Sequence, residues 1–277
     1  MAIIGQINSL KIVKKVDFGV YLDGGEHGEI LMPKRYVPAT CETDQLIDVF
    51  LYKDSDDRLI ATTEIPFVKI NECAVLEVVA VNTAGAFLNW GLPKDLLVPY
   101  REQTHKMETG KRYLVYVYLD KETNRIVASE KIDKFLDNTP PVYEVGQEVA
   151  LIVYHKTDLG YKAIINHRHT GILYLNEVFQ PLQNGQNLTG YIKKVRDDDK
   201  IDLSLHKPGQ GKSNEASSVI LAKLKENNGF LPYCDKSIAD EIYQVFGMSK
   251  KTFKMVIGNL YRKGAIVITE NGIKLAK

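Results

Sequence analysis

Through most of the first 205 residues, hydrophobic and polar side chains alternate with a period of two, which is typical of half-buried β-strands. In one such run, Val49 and Leu51 would face one side of a sheet, and Phe50 and Tyr52 the other. Pro33 ends another run, because proline has no N–H to donate to a strand ladder. Within the first 66 residues, these runs predict five short strands, at 4–12, 16–22, 29–32, 46–53 and 59–63.

The pattern is repeated along the chain. A shift of 66 residues places Gly19 on Gly85 and Tyr21 on Phe87, and it needs no gap over some sixty residues. A further shift of 75 residues carries Gly85 to Gly160. Self-similarity at a nearly fixed spacing means that one structural unit is used several times. The sequence therefore predicts three copies of one small domain.

Five short strands with a longer connection after the third are what a five-stranded Greek-key barrel of the OB type requires. A flat sheet of this size would keep two open edges and half a core, so closure is favoured. The second copy predicts strands at 77–80, 86–89, 96–98, 113–119 and 125–129, with a helical turn at 131–136. The third copy predicts strands at 148–154, 161–166, 171–175, 187–195 and 200–205.

From residue 217 the apolar period changes from two to 3.6, which predicts helices. Ser217, Ser237 and Ser249 can each cap a helix, and a glycine follows the end of each one. The short gap between the second and third helices indicates a helix-turn-helix. Asn271-Gly272 then predicts a hairpin with a type I′ turn. Three helices followed by one hairpin predict a winged helix.

The predicted fold is therefore mainly β with a C-terminal α+β domain, and consists of three tandem five-stranded OB-fold barrels followed by a winged helix. We expect domains at 1–66, 67–139, 140–208 and 213–277. Two linkers are expected between them. The linker at 137–141 should be stiff and extended, because it holds two consecutive prolines, and the linker at 207–214 should be flexible.

Composition narrows the class of protein. No apolar run approaches the ~20 residues that span a bilayer, and we expect no secretion signal and no membrane partner. The three cysteines, Cys41, Cys73 and Cys234, are scattered, which fits a reducing cytoplasm better than disulfides or zinc. The net charge of +1 hides a difference between the ends of the chain. Residues 1–66 carry a net −4 and residues 212–277 a net +5, a weak indication of a polyanion partner.

Aromatic residues in the first copy suggest a binding surface. An OB barrel binds single strands by combining a charged groove with rings on which bases stack. Phe18 and Tyr21 are three residues apart in the predicted second strand, so they would leave on opposite faces unless a bulge at Gly19 brought them together. Such a bulge would let both rings contribute to one patch, and the alternative is that either ring belongs to the core.

These residues also carry a resemblance. The run Phe18-Gly19-Val20-Tyr21-Leu22, with the turn at 54–58 and the strand that follows it, resembles the RNA-binding repeat of ribosomal protein S-one. Three such units before a winged helix resemble the bacterial virulence factor B family over essentially the whole chain. The resemblance implies a cytoplasmic RNA-binding regulator with no cofactor and no catalytic activity of its own.

The three copies differ at the positions that matter in the S-one repeat. Its first aromatic falls on Phe18, Ala84 and Leu159, and its second on Tyr21, Phe87 and Lys162. A histidine common on its third strand aligns near Leu31, Leu97 and Leu173. We therefore expect the three barrels to bind RNA unequally, with the third relying on charge.

The candidate RNA-binding residues combine these rings with basic residues near the predicted turns. They are Phe18, Tyr21, Arg58, Phe87, Arg125, Lys162, Arg168 and Lys200. Basic residues at the start of the third helix could contact nucleic acid through the winged helix. They are Lys250, Lys251 and Lys254. No metal site is expected, because no cysteine or carboxylate cluster accompanies His167 and His169.

Three functions remain open at this point. The first is an RNA-binding regulator whose partner is single-stranded RNA, with possible duplex contacts through the winged helix. The second is a DNA-binding transcription regulator that uses the winged helix, where Asn259 and Arg262 are the candidates for base reading. The third is an adaptor whose altered barrels bind protein. An enzyme is disfavoured, because no glycine-rich phosphate loop or nucleophile motif occurs.

Overall fold

The computed structural model describes residues 2–178, 181–207 and 212–276, which form three closed five-stranded barrels and a small C-terminal α+β domain. The predicted fold class is confirmed. In the first barrel the strand order is β1-β2-β3-β5-β4, and β1 pairs with β4 to close the sheet. The third and fifth strands of each barrel pair in parallel, as an OB barrel requires.

The observed strands are close to the predicted ones. The first barrel contains β1 (Ile7–Val16), β2 (Gly19–Asp23), β3 (Glu29–Pro33), β4 (Leu46–Lys53) and β5 (Leu59–Thr62). The second contains β6 (Cys73–Val81), β7 (Gly85–Asn89), β8 (Leu96–Pro99), β9 (Arg112–Leu119) and β10 (Ile126–Ser129), and a short 3₁₀ turn follows at Ile132–Lys134. The third contains β11 (Glu148–Lys156), β12 (Gly160–Ile165), β13 (His169–Tyr174), β14 (Asn187–Val195) and β15 (Ile201–Ser204).

The bulge that would bring Phe18 and Tyr21 together does not lie at Gly19. The register shift lies across the ladder in β1, between Ile12 and Lys14, and β2 pairs regularly with β3. Phe18 stands in the turn before β2, which is how its ring reaches the same side as Tyr21. Gly19 is needed for a different reason: a Cβ there would lie 2.2 Å from the carbonyl oxygen of Met32.

The first two barrels share part of one hydrophobic core. Val49 and Leu51 lie in the core of the first barrel, whereas Phe50 and Tyr52 pack into the core of the second. Both of these rings meet Trp90 edge to face, at centroid distances of 5.7 and 6.4 Å. The alternation in β4 is therefore as predicted, and its outward aromatic face is covered by the neighbouring barrel.

The structure divides into two compact units, residues 1–136 and 137–277. In the second unit, the predicted linker at 137–141 lies against β13. The carboxylate of Asp137 accepts hydrogen bonds from the N–H of Thr170 at 2.8 Å and from its Oγ1 at 2.7 Å. His169 is buried, with Nε2 2.8 Å from the carbonyl oxygen of Thr139 and Nδ1 2.8 Å from the hydroxyl of Tyr143. This stretch is therefore fastened to the third barrel.

The C-terminal domain contains α1 (Lys212–Glu226), β16 (Phe230–Leu231), α2 (Ala239–Phe246), α3 (Lys250–Arg262), β17 (Ile266–Thr269) and β18 (Gly272–Leu275). Its sheet has the order β16-β18-β17. Helix α1 begins at Lys212, within the predicted linker 207–214, so a cap at Ser217 is wrong. Residues 208–211 of that linker lie outside the described residues.

Two further predictions about this domain need correction, and one is confirmed. Ser249 caps α3 by accepting a hydrogen bond from the N–H of Thr252 at 3.1 Å. Helix α2 is preceded by Ile238 rather than Ser237, and it has no side-chain cap. In the hairpin, Thr269 pairs with Gly272, so the turn is centred on 270–271 and lacks the two positive φ angles of type I′.

Candidate nucleic-acid interface

The first barrel presents two rings and a cation together. Phe18 is 57% exposed, and its ring lies edge-on to the half-buried ring of Tyr21 at a centroid distance of 6.3 Å. Lys14 Nζ lies 4.7 Å from the centroid of the Tyr21 ring and 2.5 Å from a carboxylate oxygen of Glu29. We call Phe18, Tyr21 and Lys14 the first-barrel ring site. Sequence reasoning missed Lys14, because only the bulge in β1 pairs it with Tyr21.

Arg58 lies in the β4–β5 turn of the same barrel and is held there by acids. It donates to Oδ2 of Asp54 through Nε at 2.9 Å and through Nη2 at 2.7 Å, and Nη2 is also 2.8 Å from Asp56. The hydrogen bond with Asp54 raises the pKa of Arg58 further. Its guanidinium remains largely exposed, but its charge is neutralised locally.

In the second barrel, Phe87 lines a cavity of about 440 Å³. The cavity is bounded on the other side by Tyr52 and Asp57 of the first barrel, so it belongs to the junction between the two. Lys94 also lines this junction cavity and donates to the carbonyl oxygen of Asp54 at 2.5 Å. Burial lowers the pKa of Lys94.

Arg125, the basic residue predicted for the second barrel, binds the first barrel. Its Nε donates to Oδ1 of Asp57 at 3.0 Å, and its Nη2 contacts Oδ2 of the same carboxylate. The hydrogen bond with Arg125 lowers the pKa of Asp57, so Asp57 is charged at neutral pH. The carboxylate therefore occupies the fork that Arg125 could otherwise offer to a phosphate.

The third barrel places two of its predicted cations at one cavity. Lys162 and Lys200 line a cavity of about 590 Å³ whose other wall is residues 137–141. Lys200 Nζ lies 2.7 Å from a carboxylate oxygen of Asp198, and Lys162 Nζ lies 5.4 Å from the ring centroid of Tyr154. Arg168 is exposed in the β12–β13 turn and does not line this cavity.

In the third barrel, the third-strand position where the S-one repeat often has histidine is not the one that the alignment predicts. Tyr21 pairs with Leu31 and Phe87 with Leu97, whereas Lys162 pairs with Ile172. The position expected at Leu173 is therefore Ile172, one residue earlier. No histidine occupies it in any barrel.

The winged helix presents basic residues on α3, but its described residues include no group of side chains available to contact base edges. Lys251 and Lys254 are exposed on α3, Lys250 is half-buried at its first turn, and Lys254 lies 3.6 Å from Asp235. Cations in the first turn oppose the helix macrodipole, so an anion there would stabilise them. Arg262 donates to the side-chain oxygen of Asn259 at 2.5 Å, so the two candidates for base reading contact each other.

Neither a metal-binding cluster nor a membrane-spanning helix is found among the described residues. No group of three or more His, Cys, Asp and Glu side chains lies close enough together to hold a metal ion. In the same part of the chain, no helix is both long and apolar enough to cross a membrane.

Comparison with known proteins shows which families and relatives share this arrangement of domains. A family model described as an S1 domain matches residues 4–64 and 72–131, and a model described as a CvfB-like winged helix domain matches 218–275. The Bacillus subtilis (strain 168) protein YitL is 31% identical over 97% of this chain and 92% of its own length. "Conserved virulence factor B" of Staphylococcus haemolyticus is 25% identical over 99% of this chain and 95% of its own.

This chain belongs to the conserved virulence factor B family. The matched models describe nucleic-acid-binding domains rather than enzymes, which supports nucleic-acid binding as the general activity. The two S1 matches cover the first and second barrels of this chain, and neither extends into the third. A crystal structure from Streptococcus pneumoniae, titled a multidomain protein with nucleic acid binding domains, is similar at 23% identity and a TM-score of 0.41, over 98% of both chains.

Proposed function

We propose that this protein is a cytoplasmic RNA-binding regulator that binds single-stranded RNA through its tandem OB barrels. The first-barrel ring site carries the proposal, because it combines an exposed ring, a second ring at its edge and an ammonium group at 4.7 Å. Bases stack on such rings with roughly 1–3 kcal/mol each, whatever the base. Lys14 would contact the adjoining phosphate.

Tandem sites strengthen one another on a single strand. Phe87 offers a second ring in the next barrel, and the shared core fixes the first two barrels as one body. A strand bound at one barrel meets the next at a high effective concentration, so modest affinities multiply. The affinity should also depend on salt, because each phosphate contact releases counterions.

The winged helix supports a secondary role. The contact between Arg262 and Asn259 engages the side chains that could have read bases, so sequence-specific DNA recognition is disfavoured. Lys251 and Lys254 remain suited to phosphate. We infer that this domain adds backbone contacts to bound RNA or docks a partner, whereas a DNA-binding regulator would need a base-reading surface here.

Fluorescence anisotropy with a labelled single-stranded RNA at low salt tests the proposal. We expect binding by the unchanged protein and clear weakening by the double change Phe18→Ala, Tyr21→Ala. Leu46→Ala is the matched control, since it removes an exposed apolar side chain of the same barrel. Absence of binding by the unchanged protein would refute the proposal. Displacement of the RNA by equimolar duplex DNA would favour the DNA-binding alternative.

A further inference from the structure

The third barrel lacks rings at both aromatic positions of the repeat, which are Leu159, just before β12, and Lys162, on β12. The structure nevertheless brings rings to that place from the neighbouring strand. Tyr154 of β11 lies with its ring centroid 5.4 Å from Lys162 Nζ. The ring of His155 lies close to that of Tyr154, at 4.7 Å and an interplanar angle of 64°. All three side chains are half-buried, so each keeps part of its surface open.

This cluster has nearly the same composition as the first-barrel ring site. Each contains a tyrosine, an ammonium group within 5.4 Å of its centroid, and a second ring steeply inclined to the first. The tyrosine and the lysine have exchanged strands. In the first barrel Lys14 is on the first strand and Tyr21 on the second; in the third, Tyr154 is on the first strand and Lys162 on the second.

The strand bulge explains how the exchange is possible. In both barrels the first strand shifts register at the same place, between Ile12 and Lys14 and between Val153 and His155. Lys162 faces His155 across the ladder as Tyr21 faces Lys14. The skipped residue of the third barrel is Tyr154, and the bulge leaves its ring beside Lys162.

We propose that Tyr154, His155 and Lys162 form a further nucleotide-binding site for single-stranded RNA, in which Tyr154 stacks on a base and Lys162 contacts a phosphate. The proposal rests on the proposed function of the barrels. Lys162 also lines the cavity of about 590 Å³, whereas Tyr154 and His155 do not line it, so the base that stacks on Tyr154 would lie beside that cavity rather than in it. Stacking on a ring tolerates any base, so the site is expected to add affinity rather than sequence preference.

The test uses the full chain with changes confined to this barrel. Tyr154→Leu removes the ring, Tyr154→Phe keeps it, and Tyr191→Leu is the matched control, since Tyr191 is a half-buried tyrosine on β14 of the same barrel. Binding is measured by anisotropy, also in the Phe18→Ala, Tyr21→Ala background, where the first-barrel ring site no longer dominates. A photoreactive RNA containing 4-thiouridine is cross-linked in parallel, and the modified peptides are mapped.

We expect Tyr154→Leu to weaken binding by about five- to 150-fold, the range for losing one stacked base. Tyr154→Phe and Tyr191→Leu should bind as their parents do, and cross-links should map to the peptide that carries Tyr154. Lys162→Gln should make the log–log salt dependence shallower by about 0.7, and Lys194→Gln, the charge-matched control on β14, should not.

The experiment distinguishes failure of the proposed RNA-binding function from failure of the site at Tyr154. If the unchanged protein binds no RNA, the proposed function fails and this inference fails with it. If it binds RNA, but Tyr154→Leu and Tyr191→Leu bind equally well and no cross-link maps to β11, only this inference is overturned. If Tyr154→Leu lowers the melting temperature, Lys162→Gln decides the matter through the salt dependence, which a loss of stability does not mimic.

Discussion

The contact between Asp57 and Arg125 predicts that removing an acid will strengthen RNA binding. Asp57→Asn keeps the size of the side chain but removes the charge that holds the guanidinium of Arg125. Asp57 is 42% exposed and Arg125 50%, so the pair is reachable by solvent and by a competing phosphate. Once released, Arg125 could make one more phosphate contact at the junction of the first two barrels.

The size of the effect follows from that single contact. One added contact with a single strand makes the plot of log affinity against log salt steeper by about 0.7. The advantage of Asp57→Asn over the unchanged protein should therefore grow about fivefold for each tenfold reduction in salt. Because Arg125 lowers the pKa of Asp57, this carboxylate should stay charged and keep its contact with Arg125 from about pH 5 to pH 8.

Anisotropy titrations over a salt series measure this slope. Asp56→Asn is the matched control, since it makes the same charge change in the same turn, and Arg58 still keeps both hydrogen bonds to Asp54. If Asp57→Asn and Asp56→Asn have equal slopes, the general charge of the turn accounts for any gain. The argument that Asp57 occupies a phosphate position on Arg125 would then be wrong.

Two further predictions concern stability. Phe50→Ala removes a fully buried ring shared by the first two barrels, and we expect it to lower the free energy of unfolding by about 3–5 kcal/mol. Urea titrations followed by the fluorescence of Trp90, the sole tryptophan, measure this loss. If Phe50→Ala costs no more than the exposed Phe18→Ala, the shared core is contradicted. Burial raises the pKa of the Cys73 thiol from 9.0 to about 12, so its contribution to stability is complete below pH 9 and is lost as the pH rises towards 12. We expect this thiol to make stability fall by up to about 1.4 kcal/mol per pH unit in that window, and Cys73→Ala to fall less steeply; equal slopes would refute it.

Sequence reasoning succeeded where the cause is local. The repeated glycines mark places where a neighbouring strand carbonyl leaves no room for a Cβ: Met32 beside Gly19 and Val98 beside Gly85. The alternation in β4 predicted which side chains face the first core. Ser249 is a cap, as its own neighbours predict, although the same signal failed at Ser217 and Ser237.

It failed where one residue of register decides the outcome. An alternating pattern does not reveal a bulge. Lys14 and Tyr154 were therefore missed as candidate binding residues, although each lies beside a predicted binding position. The centre of the C-terminal turn is also displaced by one residue, because the Asn-Gly pair that predicted it is not the centre of the turn. Side-chain contacts between residues distant in sequence could not be predicted either. Nothing in the sequence near Arg125 indicates that it would bind Asp57.

The aromatic face of β4 has a consequence for how this protein can be divided. A fragment that ended near residue 66 would expose the rings of Phe50 and Tyr52, together with Ile60, where Trp90 and its neighbours now cover them. Such a patch favours self-association over solubility. We therefore expect the first copy to self-associate when it is produced without the second, so the two copies should be kept together when this protein is divided.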